Sequence, residues 1–327
     1  MAHALAVEQL AISIRGREVV SDISFELPPG DCIGIAGETG SGKTVACRAL
    51  TGTLERIGGR VERGSARFGE TDLATAGESQ WARLRGRQIA LVPQSSLSGL
   101  DPLMRVGSQL VETIRYLEGR KGTHARALEL LTHVQLADPE LVYRSFPHQL
   151  SGGMRQRVMI ALAIAGRPEL LVADEATTAL DVTVQRGILE LLGRLRRETG
   201  MSVILVSHDL AVVEETSDRT AIVYAGVSVE TGLTATVLGD PKHPYTRALL
   251  AARPAVVRAG QRLAGIPGAP PGVGSFPPGC RFAPRCSFAE PACSAAPPPL
   301  EPVASEHATA CFRWKEIERV ARDPRGL

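Results

Sequence analysis

Read for the spacing of apolar and polar positions, the chain opens on strands. Ala6–Ile14 alternates roughly with period two, and Val19–Leu27 follows after a turn centred on Gly16. Pro28, Pro29 and Gly30 break the pattern. Cys32–Ala36 is then a short apolar run leading into a glycine-rich loop, and Thr44–Leu54 continues as a helix. A second apolar strand, Ile89–Val92, ends at Pro93–Gln94. From about Leu97 to Gly166 the spacing turns helical, with Val106–Leu117, Arg126–Leu136 and Met154–Ala165 as the candidate helices. Strands and helices alternate again through Leu170–Ala173, Val184–Glu198, Ser202–Val206, Leu210–Thr216 and Thr220–Tyr224. Such alternation predicts a parallel sheet covered by helices and interrupted by a helical insertion.

After Asp240 the pattern fades, and 15 of the 22 prolines lie beyond that point. A tail of this kind builds little apolar core of its own, so it needs a staple or a surface to lie on. Aromatic residues make up only 4% of the chain, which leaves aliphatic side chains to fill the core. A formal charge of +2 offers no electrostatic reason to expect nucleic acid as a partner. No run approaches the roughly 20 apolar residues of a membrane helix, and the N-terminus lacks a secretory pattern. These features predict a cytosolic protein that meets a membrane only through a partner. Cys32 and Cys47 read as small core residues. Cys280, Cys286, Cys293 and Cys311 cluster in the last fifth of the chain, and in a reducing compartment they suggest metal more than disulfides.

Gly37-Glu38-Thr39-Gly40-Ser41-Gly42-Lys43-Thr44 matches the G-x-x-x-x-G-K-[ST] phosphate loop at every fixed position. Its glycines let backbone N–H groups turn toward a β-phosphate, helped by the positive end of the following helix. Lys43 would neutralise β- and γ-phosphate oxygens, and the Thr44 hydroxyl would ligate Mg²⁺. The strand Leu170–Ala173 delivers Asp174 and Glu175 at its tip, Asp174 for Mg²⁺ and Glu175 to orient and deprotonate water. Gln94 could reach Mg²⁺ or the water, and His208 the γ-phosphate. Taken singly, a Gln such as Gln94 is usually a solvated turn residue, and a lone histidine such as His208 is more often structural or exposed.

Leu150-Ser151-Gly152-Gly153-Met154-Arg155-Gln156 opens an amphipathic helix, and at this point the chain resembles the ABC ATPase family, whose signature is the LSGGQ-type loop. Thr178-Ala-Leu-Asp181 follows Glu175 as that family's D-loop does. The resemblance implies an α/β P-loop NTPase (RecA-like) core with an N-terminal antiparallel β subdomain, a helical subdomain inserted at about 97–166, and a Pro/Cys-rich C-terminal extension. It divides the chain at 1–240 and 241–327. It also implies that Ser151, Gly152, Gly153 and Asp181 face the ATP of a second ATPase subunit, so that two nucleotides are sandwiched in a homo- or heterodimer. Two departures stand out. Ala176 follows Glu175 where the family usually has proline, and no aromatic lies between Ile12 and Val20 to stack an adenine ring.

Phe146–Ala161, Thr177–Gln185, Pro241-Lys-His-Pro-Tyr245-Thr-Arg-Ala-Leu-Leu250 and Pro278-Gly-Cys-Arg-Phe-Ala-Pro-Arg-Cys286 resemble the oligopeptide, dipeptide and nickel importer branch. Ser95–Pro102 departs from the branch's usual loop. The branch implies a peripheral ATPase on the cytoplasmic face of the membrane, two permease subunits and an extracytoplasmic substrate-binding protein. A nickel or metal-chelate importer is the alternative, and a soluble ABC ATPase of DNA repair or translation is the rival. Long coiled coils or a second cassette would mark that rival, and the chain has neither. The four C-terminal cysteines, spaced C-x5-C-x6-C-x17-C, resemble those that hold a [4Fe–4S] cluster in some members of the branch. Zinc and unliganded redox thiols remain open readings of the same residues.

Overall fold

The period-two alternation at the start of the chain builds β1 (Leu5–Ile14) and β2 (Arg17–Leu27), paired antiparallel around the Arg15–Gly16 turn. The apolar run β3 (Cys32–Ala36) is buried along its length and leads through the glycine loop into α1 (Lys43–Leu50). That helix stops short of the expected Leu54, because Gly52 turns left-handed and the Thr53 N–H closes the end on the Arg48 carbonyl at 2.9 Å. β4 (Gly59–Phe68) and β5 (Thr71–Asp72) then add to the free edge of β1, the region where sequence spacing predicts nothing regular. The structure, a computed structural model, describes residues 4–94, 99–119, 123–177, 180–253 and 265–322.

The chain next enters a helical unit made of 28–31 and 76–206. It comprises α2 (Glu78–Leu84), β6 (Ile89–Val92), α3 (Val106–Glu118), α4 (Thr123–His133), α5 (Pro139–Arg144), α6 (Gly152–Ile164), β7 (Leu170–Asp174), α7 (Val182–Thr199) and most of β8 (Ser202–Ser207). β6, β7 and β8 pair in parallel, as expected of buried β-α-β strands. Ser95–Ser98 and Thr178–Ala179, parts of two loops singled out in the sequence, lie outside the described residues.

The chain then returns to the phosphate-loop unit, formed by 5–27, 32–75 and 207–327. α8 (Leu210–Thr216) leads to β9 (Arg219–Tyr224), parallel to β3, and to β10 (Val227–Leu233), antiparallel to β9. Next come α9 (Thr234–Gly239) and α10 (Pro244–Ala251). In the proline-rich tail follow α11 (Pro291–Ala295), β11 (Glu301–Ala304), β12 (His307–Thr309) and α12 (Trp314–Arg322). The surface the tail needs is the β9–β10 hairpin. β12 pairs with β10, and Tyr245 and Phe282 bury themselves against Tyr224, with ring centroids 4.5 and 5.3 Å from it. The fully buried Glu230 on β10 accepts from the Lys242 and His243 backbone N–H groups and from His307 Nε2, a second tie between tail and sheet. Among the described residues no helix is long and apolar enough to cross a membrane.

Candidate functional site

The phosphate loop links the buried end of β3 to the start of α1. Gly37 runs at φ +152°, and a Cβ on it would stand 2.0 Å from the Val223 carbonyl oxygen, so the loop's entry admits only glycine. The N-cap of α1 is Gly42, which provides no capping side chain, and the first turn is left to backbone N–H groups as an anion site requires. Lys43 is only 3% exposed and curls over its own loop, donating to the Gly37 and Glu38 carbonyls at 2.8 and 2.9 Å and to Ser41 Oγ at 3.3 Å. These are modest acceptors, and a polyphosphate would compete for the same ammonium. Thr39 and Gly40 are exposed at the loop's tip, and Thr44 is half-buried on the first turn. Val20 is buried beside the loop, its Cγ2 3.1 Å from where a Cβ on Gly42 would stand.

His208 belongs to the same unit and is exposed in the turn before α8, whose N-cap is Asp209. Cys32 and Cys47 are buried in the core, as small apolar residues would be.

The helical unit carries Gln94, Ser151, Gly152, Gly153, Asp174, Glu175 and Asp181. It brings two of them into direct contact: Gln94 Nε2 donates to Glu175 Oε2 at 2.7 Å. Asp174 is buried at the end of β7. Glu175 follows in the left-handed region at φ +47°, its N–H bonded to the Val206 carbonyl at 3.2 Å. A non-glycine residue held there costs about 1–3 kcal/mol, strain of the kind that collects at functional sites. Ser151 is exposed and caps α6, its Oγ accepting from the Met154 N–H at 3.3 Å. Asp181 likewise caps α7 through Val184 N–H at 2.9 Å. The two helix starts pack together, since a Cβ on Gly153 would meet Val184 Cγ1 at 2.6 Å.

Cys280, Cys286, Cys293 and Cys311 line one cavity with Phe282 and Ile317. All four are free thiols, and no three such groups among the described residues are arranged to hold a metal ion. Burial pushes the Cys280 and Cys286 thiols up, and that of Cys311 up to about 12. The turn between the first two cysteines holds Arg285, which forms a bidentate pair with Glu38 of the phosphate loop at 2.6 and 3.1 Å. Tyr245 Oη accepts from the Glu38 N–H at 2.8 Å. Sequence reasoning missed Arg285 and Tyr245. Both lie in the two tail motifs that mark the importer branch, but only folding brings those motifs to the loop.

Residues 20–178 match the family described as ABC transporter, and residues 229–293 that described as oligopeptide/dipeptide transporter, C-terminal region. The chain is 44% identical over 283 residues to a peptide import ATP-binding protein of Brucella abortus (strain 2308), covering 85% of each chain. It is 42% identical over 318 residues to another peptide import ATP-binding protein, of Brucella melitensis biotype 1, covering 93% of this chain and 94% of the relative. Among solved structures it matches the dimeric post-hydrolysis state of the ATP-binding cassette MJ0796 bound to ADP and Pi. The TM-score is 0.62 at 24% identity, covering 70% of this chain and 98% of that one, a likeness of fold.

Proposed function

Because the chain belongs to the ATP-binding subunits of ABC transporters, in the branch of peptide import ATP-binding proteins, we propose that it hydrolyses ATP to drive peptide import. The observation that carries this reading is the phosphate loop, with a buried lysine over a helix N-terminus that no side chain caps. Residues 1–240 would form the ATPase and 241–327 the extension. The subunit would sit peripherally at the cytoplasmic face of the membrane, under two permeases that receive peptide from an extracytoplasmic binding protein.

Gly37, Glu38, Thr39, Gly40, Ser41, Gly42, Lys43 and Thr44 would hold the triphosphate, with Lys43 releasing its loop carbonyls for β- and γ-oxygens. Thr44, Gln94 and Asp174 supply hydroxyl, amide and carboxylate oxygens, the hard donors that Mg²⁺ takes. When bound, Mg²⁺ neutralises phosphate charge. Glu175 would deprotonate the attacking water, and its bond to Gln94 keeps one oxygen oriented. His208 would touch the γ-phosphate. A second ATPase subunit, identical or paralogous, would close over the nucleotide with its own copies of Ser151, Gly152, Gly153 and Asp181, and this closure would push on the permeases.

ATP-dependent peptide uptake by vesicles holding the assembled transporter tests the reading. We expect uptake and phosphate release to stop together in Lys43→Ala. Phosphate release by the wild type that no peptide or permease alters would overturn it in favour of a soluble ATPase.

On the four C-terminal thiols we place a [4Fe–4S] cluster, with zinc as the alternative. Supporting this are the shared cavity that the four cysteines line and the softness of thiolate donors. The group would staple a tail that holds little core of its own. Anaerobically purified protein should show a visible absorption band that Cys286→Ser abolishes, and a colourless, zinc-loaded sample would refute the cluster.

A further inference from the structure

Arg285 is unusual in having every donor used. Nε reaches the Pro267 carbonyl at 2.7 Å; Nη1 reaches Glu38 at 2.6 Å and Tyr224 Oη at 3.2 Å; Nη2 reaches Glu38 at 3.1 Å and the Ile266 carbonyl at 3.2 Å. Its side chain is 4% exposed. A guanidinium offers five N–H donors in a rigid fork, and here all five are matched in a site sheltered from water. Its partner, Glu38, is the second residue of the phosphate loop. The same residue is held from behind by Tyr245, whose oxygen takes the Glu38 N–H and whose ring is buried against Tyr224 and Phe282. Lys43 donates to the Gly37 carbonyl, in the same peptide whose N–H Tyr245 holds, and to the carbonyl of Glu38 itself, so the lysine rests on the residue that Arg285 and Tyr245 hold.

The other side of this turn faces the thiol cavity. Arg285 lies in the 3₁₀ turn Ala283–Arg285, which Cys280 enters and Cys286 ends. The Ala283 N–H bonds the Cys280 carbonyl at 3.0 Å, and the Cys286 N–H bonds the Ala283 carbonyl at 3.2 Å. The Cys280 N–H in turn bonds the Cys293 carbonyl at 2.7 Å. A shift of the cysteine backbone therefore moves the root of Arg285.

We propose that Arg285 is a positioning residue for ATP binding, holding the phosphate loop in its nucleotide-ready shape through Glu38, so that the thiol-lined turn sets the subunit's affinity for ATP. The inference rests on the phosphate loop binding ATP, as proposed above. The Arg285 fork is stiff and charge-assisted, the kind of contact that fixes a loop rather than one that merely adds stability. Nothing in it touches the reacting atoms, so its loss should appear in affinity more than in turnover.

The test uses the full chain, with the affinity for a non-hydrolysable ATP analogue as the first readout and KM against kcat as the second. Arg285→Ala should weaken analogue binding about tenfold, equivalent to about 1.4 kcal/mol, and raise KM in step, with kcat falling far less. Arg285→Lys keeps the charge and stem but loses the fork, and it should show most of the same loss in a protein that folds. Arg285→Ala combined with Glu38→Gln should be no worse than the weaker single variant, because both cut one linkage. Cys286→Ser should weaken binding in the wild-type background and add nothing in Arg285→Ala. Wild-type affinity in a folded Arg285→Lys protein, or additive losses, would overturn the strut. Unchanged affinity in Cys286→Ser would overturn its link to the thiol turn. A wild-type chain that binds no analogue at all would instead sink the ATPase reading itself.

Discussion

Two glycine-rich loops in this chain each open a helix, and they are built for opposite circumstances. The phosphate loop is buried at Lys43, carries no side-chain cap at Gly42, and is held from behind by Arg285 and Tyr245. At Ser151-Gly152-Gly153 the serine is exposed, and it closes the first turn of α6 by accepting from the Met154 N–H. Asp181 does the same for α7, beside the exposed Val182. Under the proposed function, the first loop is a phosphate site carried within one subunit. The second satisfies itself when alone, which suits a surface whose anion arrives on another subunit. An exposed helix start left uncapped would forfeit about 1 kcal/mol in the free subunit. A phosphate loop can leave its first turn to backbone N–H groups because it is supported from within its own unit.

The sharpest way to break this comparison lies at the carboxylate. Glu175→Gln should lower kcat by about 10²–10⁴-fold while nucleotide binding survives, and the protein should elute as a dimer in the presence of ATP. If Glu175→Gln turns over at the wild-type rate, the base is elsewhere. Next in size is the support behind the phosphate loop. Phe282→Ala empties a position packed against Tyr224 and Tyr245 and should cost about 3–5 kcal/mol in denaturant unfolding. If the extension's core backs the loop, ATP affinity should fall with stability. A loss of stability with intact affinity would confine that core to a structural role.

Smallest in stability and most informative for the comparison is Ser151→Ala. As a cap alone it should cost about 1 kcal/mol and lower the melting temperature slightly. As a ligand in a closed dimer it should reduce turnover by far more than that stability loss explains, and mixing it with Lys43→Ala should restore part of the activity. One subunit then brings an intact phosphate loop and the other an intact Ser151. A rate that tracks the melting temperature alone would reduce Ser151 to a cap.

The two loops also differ in what the bare chain discloses. The phosphate loop is legible because its chemistry is local: glycines where a Cβ would strike Val223, a lysine, and a hydroxyl at fixed spacing between a strand and a helix. Ser151–Gly153 is legible for the same reason. The apolar, buried runs of β3, β7 and β8 announced themselves as strands because parallel strands are apolar on both faces. β4 did not. Its Gly59–Phe68 sequence carries several charged residues on the exposed side, and its strand character comes from pairing with β1. Tail strands β11 and β12 were hidden likewise, because three or four residues acquire a strand's shape only when β10 offers its edge.

The sequence by itself determined the elements whose physics is short-range: the glycine-rich turn between strand and helix, the strand that ends in Asp174 and Glu175, and the alternating order of a parallel sheet. Tertiary structure alone decided what those elements lean on. Arg285 and Glu38 are 247 residues apart along the chain, and neither spacing nor composition relates them. The tail, too poor in apolar residues to fold on itself, lays Tyr245 and Phe282 against Tyr224 and thereby carries an arginine to the phosphate loop. Long-range pairing of this sort depends on which surface the tail can bury, a property of the assembled core and not of any local run of residues.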